Sequence, residues 1–367
     1  MIEIDGSYGE GGGQILRTAL ALSAICAKPF QIYNIRKGRK KPGLLAQHLT
    51  GVNATRIVTD AKVSGDRFGS LTLTFEPRVI KGGRYEFDVA EERGSAGAVT
   101  LVAQTILPIL FFADKDSGII LKGGTHVPFS PPFDYLKEIL LPTIANYGFN
   151  AHADLLEYGF YPVGKGKISL TIKKFTKPTG DSLADYNLSE PGELKELKII
   201  SRVANLPLTI AERQKNHLIE LLKLNKQNLE PKVECEVVKA VCPGTYLFLS
   251  ARLEKVRAGF SALGAKGKPA EKVADEVYEE FNNYLKEKAA LDPHLADQLL
   301  IFLALLMVRS EKSNGSTARS RPVKSITFTT TKITNHLLTN IWVINQFLPE
   351  LKIEVTGNSV TVSKRNS

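Results

Sequence analysis

The sequence predicts an α+β fold in which helices cover one side of small sheets. Apolar stretches of helical length alternate with short pieces in which apolar residues recur at every second position. Glycines stand just before several of the helical stretches, so the chain is organised as repeated small units. Such units build domains from packed layers of helices and sheets. The predicted helices include residues 15–25, 44–58 and 99–112, and the predicted strands include residues 70–75, 118–122 and 167–172.

The size and composition of the chain allow a large core. It has 367 residues, of which 43% are hydrophobic and 23% are charged, and this length corresponds to two or three globular units. The longest apolar run, residues 98–113, contains Thr100, Gln104 and Pro108. It is shorter than the ~20 residues that cross a bilayer. We therefore interpret it as a buried helix and expect no association with a membrane.

The cysteines and the first residues bear on the cellular compartment. Cys26, Cys235 and Cys242 lack the CxxC spacing of zinc sites and cannot all pair within one chain. The first residues lack the basic region and the apolar stretch of a secretory signal. We therefore expect a cytoplasmic protein without a disulfide framework or a structural zinc site.

A change in charge along the chain predicts an inserted domain. Residues 184–276 hold 15 basic and 13 acidic residues, whereas the whole chain has a net charge of +10. Within this segment we predict helices at residues 210–224 and 271–285 and strands at residues 233–238 and 246–251. We therefore expect a small αβ domain at residues 184–276, inserted into a large domain formed by residues 1–183 and 277–367.

The net charge of +10 favours a polyanionic partner, although many basic surfaces are simply solvated. Two stretches concentrate the cations. Residues 36–41 read RKGRKK, and residues 309–324 hold five cations against one glutamate. Each is either a solvated loop or a surface for phosphate groups, and the second interpretation requires a phosphate-handling site nearby.

The N-terminal string GEGGGQILR, residues 9–17, has the chemistry of an anion-binding turn. Consecutive glycines before a helix let backbone N–H groups approach an anion, and the start of a helix favours negative charge. Arg17 falls on the first turns of this helix. Glu10 precedes it and is a candidate Mg²⁺ ligand, because hard cations prefer oxygen and bridge to phosphates. A purely structural glycine turn is the alternative, since the string is neither a P-loop nor a dinucleotide fingerprint.

A second string, RKGRKKPGLLAQHL at residues 36–49, also places cations before a helix. The helix start and the cations together are suited to a second phosphate group. Arg36 and Arg39 are better candidates than the neighbouring lysines, because a guanidinium binds phosphate through two hydrogen bonds. Gln47 and His48 follow on the helix itself.

His336 has a distinctive position among the six histidines, of which none pairs with another at the i, i+4 spacing of a zinc helix. It follows a threonine-rich, β-like run, residues 326–334, and begins the helical segment HLLTNIWVINQFL. At such a junction we expect phosphate binding and a neutral imidazole, the form that attacks phosphorus. A satisfied polar residue without a catalytic role is the alternative.

Seven strings together resemble the signature blocks of RNA 3'-terminal phosphate cyclases. They occur in the order typical of that family over nearly the whole chain, and they are specific only as a set. The strings are GEGGGQILR (9–17), RKGRKKPGLLAQHL (36–49), GSAGAVTLVAQTILP (94–108), GGTHVPFSPPFDY (123–135), GFYPVGKGK (159–167), HLADQL (294–299) and NHLLTN (335–340).

The resemblance implies a fold and a reaction. The fold has a large domain of three repeated βαβαββ-type units and a small inserted αβ domain. In the reaction a histidine attacks the α-phosphate of ATP and releases pyrophosphate. AMP then passes to an RNA 3'-phosphate, and the neighbouring 2'-OH attacks the activated phosphorus to give a 2',3'-cyclic phosphate. Covalent catalysis of this kind divides one difficult step into easier ones.

The resemblance also implies roles for residues of this chain. His336 matches the adenylated nucleophile, and Glu10 matches a ligand of a divalent metal, Mg or Mn. Arg17 and Arg39 match the residues that hold the terminal phosphate of RNA, with Arg36, Gln47 and His48 as weaker candidates. The residues that match ATP-binding positions are Gln104, Pro131, Tyr135, His294, Leu295, Ala296, Asp297 and Gln298.

One residue departs from the family pattern, and one other function competes with this interpretation. An aromatic residue often precedes the LADQ string in bacterial relatives, where this chain has His294. The main rival is a non-catalytic, cyclase-like RNA-binding protein of ribosome biogenesis, which lacks the histidine; the presence of His336, Gln104 and Glu10 weighs against it. We expect RNA with a 3'-phosphate as the partner, leave a homo-oligomer open, and expect the inserted segment not to contribute to adenylation.

Overall fold

The computed structural model of the chain describes residues 1–89, 96–176, 187–224, 229–309 and 323–365. Most of the basic stretch at residues 309–324 lies outside these ranges. So do Gly94, the first residue of the string at residues 94–108, and the predicted domain boundary between residues 183 and 184.

The first sheet is formed by the N-terminal residues. Its strands are β1 (Ile2–Asp5), β2 (Phe30–Tyr33), β3 (Lys62–Ser64) and β4 (Leu73–Glu76), in the order β1-β2-β4-β3. β1 and β2 are parallel, and the other pairs are antiparallel. The helices α1 (Gly13–Cys26) and α2 (Ala46–Thr59) connect these strands. α1 includes the helix predicted at residues 15–25, whereas α2 begins two residues after the start of the helix predicted at residues 44–58.

The second sheet has the strands β5 (Arg84–Asp88), β6 (Ser117–Gly123), β7 (Ala151–Glu157) and β8 (Gly166–Ile172), in the order β5-β6-β8-β7. β5 and β6 are parallel, and the other pairs are antiparallel. Helix α3 (Val99–Leu110) follows β5. After β6 a helical segment begins with α4 (Phe133–Tyr135), continues as a π-helical turn, Leu136–Leu140, and ends with α5 (Leu141–Ala145).

A short strand, β9 (Asn187–Leu188), precedes a separate sheet of four strands. These are β10 (Leu194–Ala204), β11 (Lys232–Val237), β12 (Gly244–Leu253) and β13 (Arg257–Leu263), in the order β11-β10-β12-β13. Helices α6 (Leu208–Leu224) and α7 (Ala270–Glu287) pack on this sheet. The predicted end of the inserted domain, residue 276, lies within α7.

The last sheet combines β9 with three strands from the C-terminal part of the chain. These are β14 (Ser325–Thr329), β15 (Leu351–Thr356) and β16 (Ser359–Lys364), in the order β15-β16-β14-β9. β9 and β14 are parallel, and the other pairs are antiparallel. Helices α8 (Pro293–Arg309) and α9 (Asn335–Phe347) belong to this region. The predicted α+β class is therefore confirmed.

Aromatic packing brings the two ends of the chain together. Phe30 of β2 and Phe347 of α9 are both fully buried, with their ring centroids 5.9 Å apart. The ring centroid of Phe75 of β4 lies 6.0 Å from that of Phe30. Burial of each such side chain stabilises the fold by roughly 1.5–3 kcal/mol. This core cluster holds α9 against the N-terminal sheet and so aligns the first helix with the last.

None of the helices in the described ranges has both the length and the apolar character needed to cross a membrane. The run at residues 98–113 instead forms α3 and the turn after it, in which nearly every side chain is buried.

Candidate active site

His336 is the second residue of α9, so it lies at the start of a helix as predicted. Thr334 caps this helix, and its hydroxyl oxygen accepts a hydrogen bond from the backbone N–H of Leu337 at 3.0 Å. The imidazole is 42% exposed. Its Nε2 lies 2.7 Å from Oε2 of Glu10, and its Nδ1 lies 3.6 Å from Oδ2 of Asp297. A carboxylate therefore lies next to each ring nitrogen.

The two carboxylates act on the protonation of His336. Asp297 first, and then Glu10, raise the pKa of His336 above its ordinary value, against the opposing effects of burial and of Arg17. The surroundings of the ring therefore favour its protonated form, which opposes the preference for a neutral imidazole that was expected from the helix start. A helix start contributes partial charges only, whereas two full negative charges lie within 4 Å of the ring.

Glu10 contacts both His336, the candidate nucleophile, and the basic stretch at residues 36–41. Its Oε1 accepts a hydrogen bond from Nη2 of Arg39 at 2.7 Å, while its Oε2 contacts His336. Partial burial raises the pKa of Glu10, but the hydrogen bond from Arg39 and the positive charges of His336 and Arg39 outweigh this effect and lower it. Glu10 is thus held as a carboxylate between the Arg39 guanidinium and the His336 ring.

A divalent metal can fit beside Glu10 only as a site shared with phosphate groups. Within the described residues no group of three or more Asp, Glu, His or Cys side chains is arranged to hold a metal ion. Mg²⁺, however, is commonly bound by one or two carboxylates together with substrate phosphates. The single carboxylate of Glu10 is compatible with that arrangement.

Asp297 is fixed from its other side by α9 and α1. Its Oδ1 accepts a hydrogen bond from Nδ2 of Asn340 at 2.6 Å. The amide oxygen of Asn340 in turn accepts a hydrogen bond from the hydroxyl of Thr18 at 2.8 Å. This chain of hydrogen bonds holds the Asp297 carboxylate close to the Nδ1 side of His336.

A small cavity of about 40 Å³ lies between α1, α3, α8 and α9. Arg17 lines it, and desolvation lowers the pKa of this guanidinium to about 10, although Asp297 acts in the opposite direction. Gln14, which is 3% exposed, also lines it, and its Nε2 has no hydrogen-bond partner. The cavity has room for a few water-sized groups only, so it suits part of a ligand rather than a whole nucleotide.

Two glutamines of the predicted ATP set meet in the same cavity. Nε2 of Gln104 on α3 donates a hydrogen bond to Oε1 of Gln298 on α8 at 2.7 Å. Gln298 also donates to the backbone oxygen of His294, one turn earlier, at 3.1 Å. The side chains of Leu295 and Ala296 are fully buried in the core and do not face the cavity.

Of the remaining predicted ATP residues, Tyr135 and His294 meet at the start of α8, and Pro131 lies beside α3. Tyr135 is buried, and its hydroxyl donates to both carboxylate oxygens of Asp292, at 2.7 and 2.9 Å. Asp292 also caps α8 by accepting the backbone N–H of His294 at 2.9 Å. The rings of His294 and Tyr135 meet edge to face, with centroids 6.3 Å apart. The backbone oxygen of Pro131 accepts a hydrogen bond from Thr100 of α3 at 2.8 Å.

The predicted inserted segment touches this cluster. The backbone N–H of Gly259 on β13 donates to Oδ2 of Asp292 at 3.4 Å. A Cβ atom added at Gly259 would lie 2.9 Å from Cδ2 of Tyr135. The expectation that this segment does not contribute to adenylation stays a prediction, and these contacts place Gly259 where a substitution tests it.

Arg36, Gln47 and His48 contact the protein itself. Nη1 of Arg36 donates to the backbone oxygens of Lys41 and Gly43 at 2.6 and 2.9 Å. The side-chain oxygen of Gln47 accepts the backbone N–H of Ala98 at 3.3 Å.

His48 is 5% exposed, and burial, followed by the charges of Arg36 and Arg17, lowers its pKa to about 3. Its Nδ1 accepts the backbone N–H of Leu45 at the start of α2, at 3.1 Å. A neutral His48 has no charge with which to attract phosphate.

Comparison with known proteins gives one family. The family model described as RNA 3'-terminal phosphate cyclase matches residues 8–355. The chain belongs to the RNA 3'-terminal phosphate cyclase family. The predicted family membership is thereby confirmed, and with it the prediction that the chain belongs to a family of enzymes.

Relatives named RNA 3'-terminal phosphate cyclase occur in distant organisms. The protein of Methylococcus capsulatus is 43% identical over 350 residues, which cover 95% of this chain and 91% of the relative. The protein of Nostoc punctiforme is 40% identical, with 100% of both chains covered. The protein of the archaeon Archaeoglobus fulgidus is 37% identical, with 99% of this chain and 100% of the relative covered. This chain therefore resembles RNA 3'-terminal phosphate cyclases over its full length.

Several residues of this cyclase-family site were missed in the sequence analysis as individual candidates. Gln14, Thr18 and Asn340 stand inside or beside recognised strings, but their chemistry does not distinguish them from core polar residues. Asp292 directly precedes Pro293 and His294 and caps α8, a position for which aspartate is a known signal. That signal could have been used to find it.

Proposed function

We propose that this chain converts an RNA 3'-terminal phosphate to a 2',3'-cyclic phosphate, using ATP and a covalent AMP adduct on His336. The observation that carries the proposal is the position of the exposed His336 imidazole. It lies between the carboxylates of Glu10 and Asp297, next to a cavity lined by Arg17 and Gln104. Membership of the cyclase family supports the same reaction.

In the first step the lone pair of His336 Nε2 attacks the α-phosphorus of ATP. A bond forms between Nε2 and phosphorus, the bond from phosphorus to the bridging oxygen breaks, and pyrophosphate leaves. Nε2 contacts Glu10 in the absence of substrate, so the α-phosphate has to displace that carboxylate. Asp297 can hold a proton on Nδ1, which fixes the ring and leaves Nε2 free to attack, as the aspartate of a catalytic triad does.

In the second step an oxygen of the RNA 3'-phosphate attacks the same phosphorus, and His336 is released. The 2'-OH then attacks the 3'-phosphorus, loses its proton, and expels AMP. In this scheme Arg17 and Arg39 hold the RNA phosphate, because guanidinium groups bind phosphate oxygens in pairs. Arg36, Gln47 and His48 contribute by shaping the loop and the helix start rather than by direct charge.

The nucleotide residues are proposed to act in two groups. Asp297 lies next to His336, and Gln104 and Gln298 line the same cavity as Asp297, so these three suit the phosphate and ribose end of ATP. Tyr135 and His294 meet at the start of α8, and Pro131 lies beside α3; these three suit the adenine. Leu295 and Ala296 support this helix from the core. A Mg or Mn ion, bound by Glu10 together with the phosphates of ATP, would supply positive charge that neutralises the leaving group.

The strand orders support three βαβαββ units and one insertion. In each of three sheets a parallel pair of strands is joined to an antiparallel pair in the same order: β1-β2-β4-β3, β5-β6-β8-β7 and β9-β14-β16-β15. The sheet of β10 to β13, with α6 and α7, falls between β9 and α8. We infer that this segment is the inserted domain. Cytoplasmic location and a homo-oligomeric state stay predictions.

Incubation with ATP labelled in its α-phosphate tests the function. The protein should retain label in an acid-labile, base-stable form, and added RNA with a 3'-phosphate should release it. His336→Ala should abolish labelling, with a loss of several orders of magnitude, because the covalent route is removed. His152→Ala is the matched control, since His152 is exposed and also contacts a carboxylate, that of Asp154 at 3.1 Å.

Two outcomes would contradict the proposal. Normal labelling of the His336→Ala protein would exclude His336 as the nucleophile. Absence of label in the unaltered protein, together with binding of RNA, would favour the non-catalytic RNA-binding alternative.

A further inference from the structure

An aromatic pair that the proposed reaction does not use lies beside the active site. Tyr8 stacks on Trp342 of α9, with ring centroids 4.1 Å apart and ring planes 12° from parallel. Trp342 is partly buried and packs against the core, whereas Tyr8 is 44% exposed. Since Trp342 covers one face of the Tyr8 ring, the exposed area lies on the edge and the opposite face of that ring.

The pair is attached to the two elements that carry Glu10 and His336. Tyr8 precedes Glu10 by two residues, so their Cα atoms are at most ~7 Å apart. Trp342 shares helix α9 with His336. Gly9 has a φ of +57°, and a Cβ atom added there would lie 2.5 Å from the hydroxyl oxygen of Thr339. The loop therefore lies directly on α9, which fixes Tyr8 at the edge of the active site.

The loop around Tyr8 is well ordered by its own hydrogen bonds. Oδ1 of Asp5 accepts the backbone N–H and the hydroxyl of Ser7 at 2.9 and 2.7 Å. The backbone N–H of Tyr8 donates to the backbone oxygen of Asp5 at 3.2 Å, and Gly11 donates to the backbone oxygen of Tyr8 at 2.9 Å. An aromatic ring that is already fixed loses little entropy when a ligand stacks on it.

The charges near Tyr8 are those of a surface for a polyanion. Lys37 is close enough to Asp5 for its charge to help lower the pKa of that carboxyl, after burial, which raises it, and the Ser7 and Asn34 hydrogen bonds, which lower it. Arg39 is paired with Glu10, which follows Tyr8 by two residues. An exposed aromatic face close in the chain to basic side chains is a combination with which proteins bind single-stranded nucleic acid, by stacking of bases and contacts to phosphates.

We propose that Tyr8, backed by Trp342, is a stacking platform for the base of the 3'-terminal nucleotide of the RNA. This role rests on the proposed function and adds a specificity determinant to it. The stacked base fixes the end of the strand, so that its 3'-phosphate is presented to Glu10 and His336. A purine offers a larger face than a pyrimidine, so the platform favours RNA that ends in a purine.

The test uses matched single-stranded RNAs with a 3'-phosphate that end in adenosine, in uridine or in an abasic site. Their Kd values are measured by fluorescence anisotropy for the full-length protein. Tyr8→Ala should weaken binding of the adenosine-ended RNA by about 10-fold and leave binding of the abasic RNA unchanged. Tyr8→Phe should still bind the adenosine-ended RNA more tightly than the uridine-ended and abasic RNAs. Tyr85→Ala is the matched control, because Tyr85 stacks on Phe87 in the second sheet, and it should change none of these affinities.

Labelling by α-labelled ATP, measured in the same preparations, separates this proposal from the proposed function. Tyr8→Ala should label normally. Loss of labelling at low ATP would assign the ring to the adenine of ATP and would overturn the RNA role. Equal binding of adenosine-ended and abasic RNA by the unaltered protein would overturn it as well. Absence of label in the unaltered protein would contradict the proposed function, while the RNA affinities would still decide the role of Tyr8.

Discussion

Nε2 of His336 and Oε2 of Glu10 lie 2.7 Å apart, although the two residues come from opposite ends of the chain. The contact exists because α9 packs against α1 and against the first sheet. The buried pair Phe30 and Phe347 and the hydrogen bond from Thr18 to Asn340 hold these elements together. The proposed nucleophile and the glycine-rich loop therefore form one site only in the folded chain.

The carboxylate of Asp297 should set the pH dependence of enzyme–AMP formation. The neutral form of His336 attacks phosphorus, and Asp297, followed by Glu10, raises the pKa of His336. The value of kcat/KM for ATP should therefore fall as the pH decreases through this raised pKa. Asp297→Asn should shift this fall in kcat/KM to lower pH. It should also reduce the pH-independent value of kcat/KM at high pH by roughly 100-fold, since the ring loses the acceptor that orients it.

Single-turnover labelling over a range of pH gives the measurement. The matched variant is Asp154→Asn, which removes a carboxylate from the exposed His152 instead. Its pH profile should match that of the unaltered protein. An unchanged acid limb in Asp297→Asn would show that Asp297 does not control the charge of His336.

Arg39 should act mainly on the RNA step. Its guanidinium reaches Glu10 and is 39% exposed, so it is available to a phosphate. Arg39→Ala should reduce transfer of AMP to RNA more than it reduces labelling by ATP. The slope of log affinity for RNA against log salt concentration should also become less steep by about 1, because one phosphate contact is lost. Lys40→Ala, in the same exposed loop, tests whether the loss of any cation there has the same effect on transfer to RNA. Equal loss of labelling and of transfer in Arg39→Ala would count against this role.

Tyr135 should stabilise the fold through the buried carboxyl of Asp292. Burial raises the pKa of Asp292, and the Tyr135 hydroxyl donates to both of its oxygens. Tyr135→Phe removes this donor from a buried acceptor, which should lower the free energy of unfolding by ~1–3 kcal/mol. Urea denaturation measures the loss. The hydroxyl of Tyr85 donates to the backbone oxygen of Lys81 at an exposed site, so Tyr85→Phe should lower the free energy of unfolding by less. Equal losses in the two variants would contradict this role of Tyr135.

Gly259 should link the inserted segment to ATP binding. A Cβ atom at this position would lie 2.7 Å from Cγ1 of Ile139 and 2.9 Å from Cδ2 of Tyr135. Gly259→Ala should displace Tyr135 and raise the KM for ATP several-fold, at a cost of about 1–3 kcal/mol in stability. Gly118→Ala in β6 is the control, because its nearest neighbour would be 3.9 Å away. A folded Gly259→Ala protein with unchanged KM for ATP would show that the inserted segment does not influence the nucleotide site.

Most helices and the family could be predicted from the order of residues along the chain. Hydrophobic periodicity identified α1, α3, α6 and α7, because the periods of 3.6 and 2 depend only on local geometry. The ordered strings identified the cyclase family before any contact was known. The position of His336 at a helix start also followed from the chain, because a β-like run and a helical run meet there.

The electrostatic surroundings of His336 and the composition of its site, by contrast, follow from the folded arrangement of distant residues. Glu10, Asp297 and His336 are far apart in the sequence, and no local pattern predicts that two carboxylates approach one imidazole. His48 and Arg39 stand in the same string, yet one is buried and neutral whereas the other is exposed and ion-paired. Electrostatic energy depends on distance and desolvation in space, and neither quantity can be read from the order of residues along the chain.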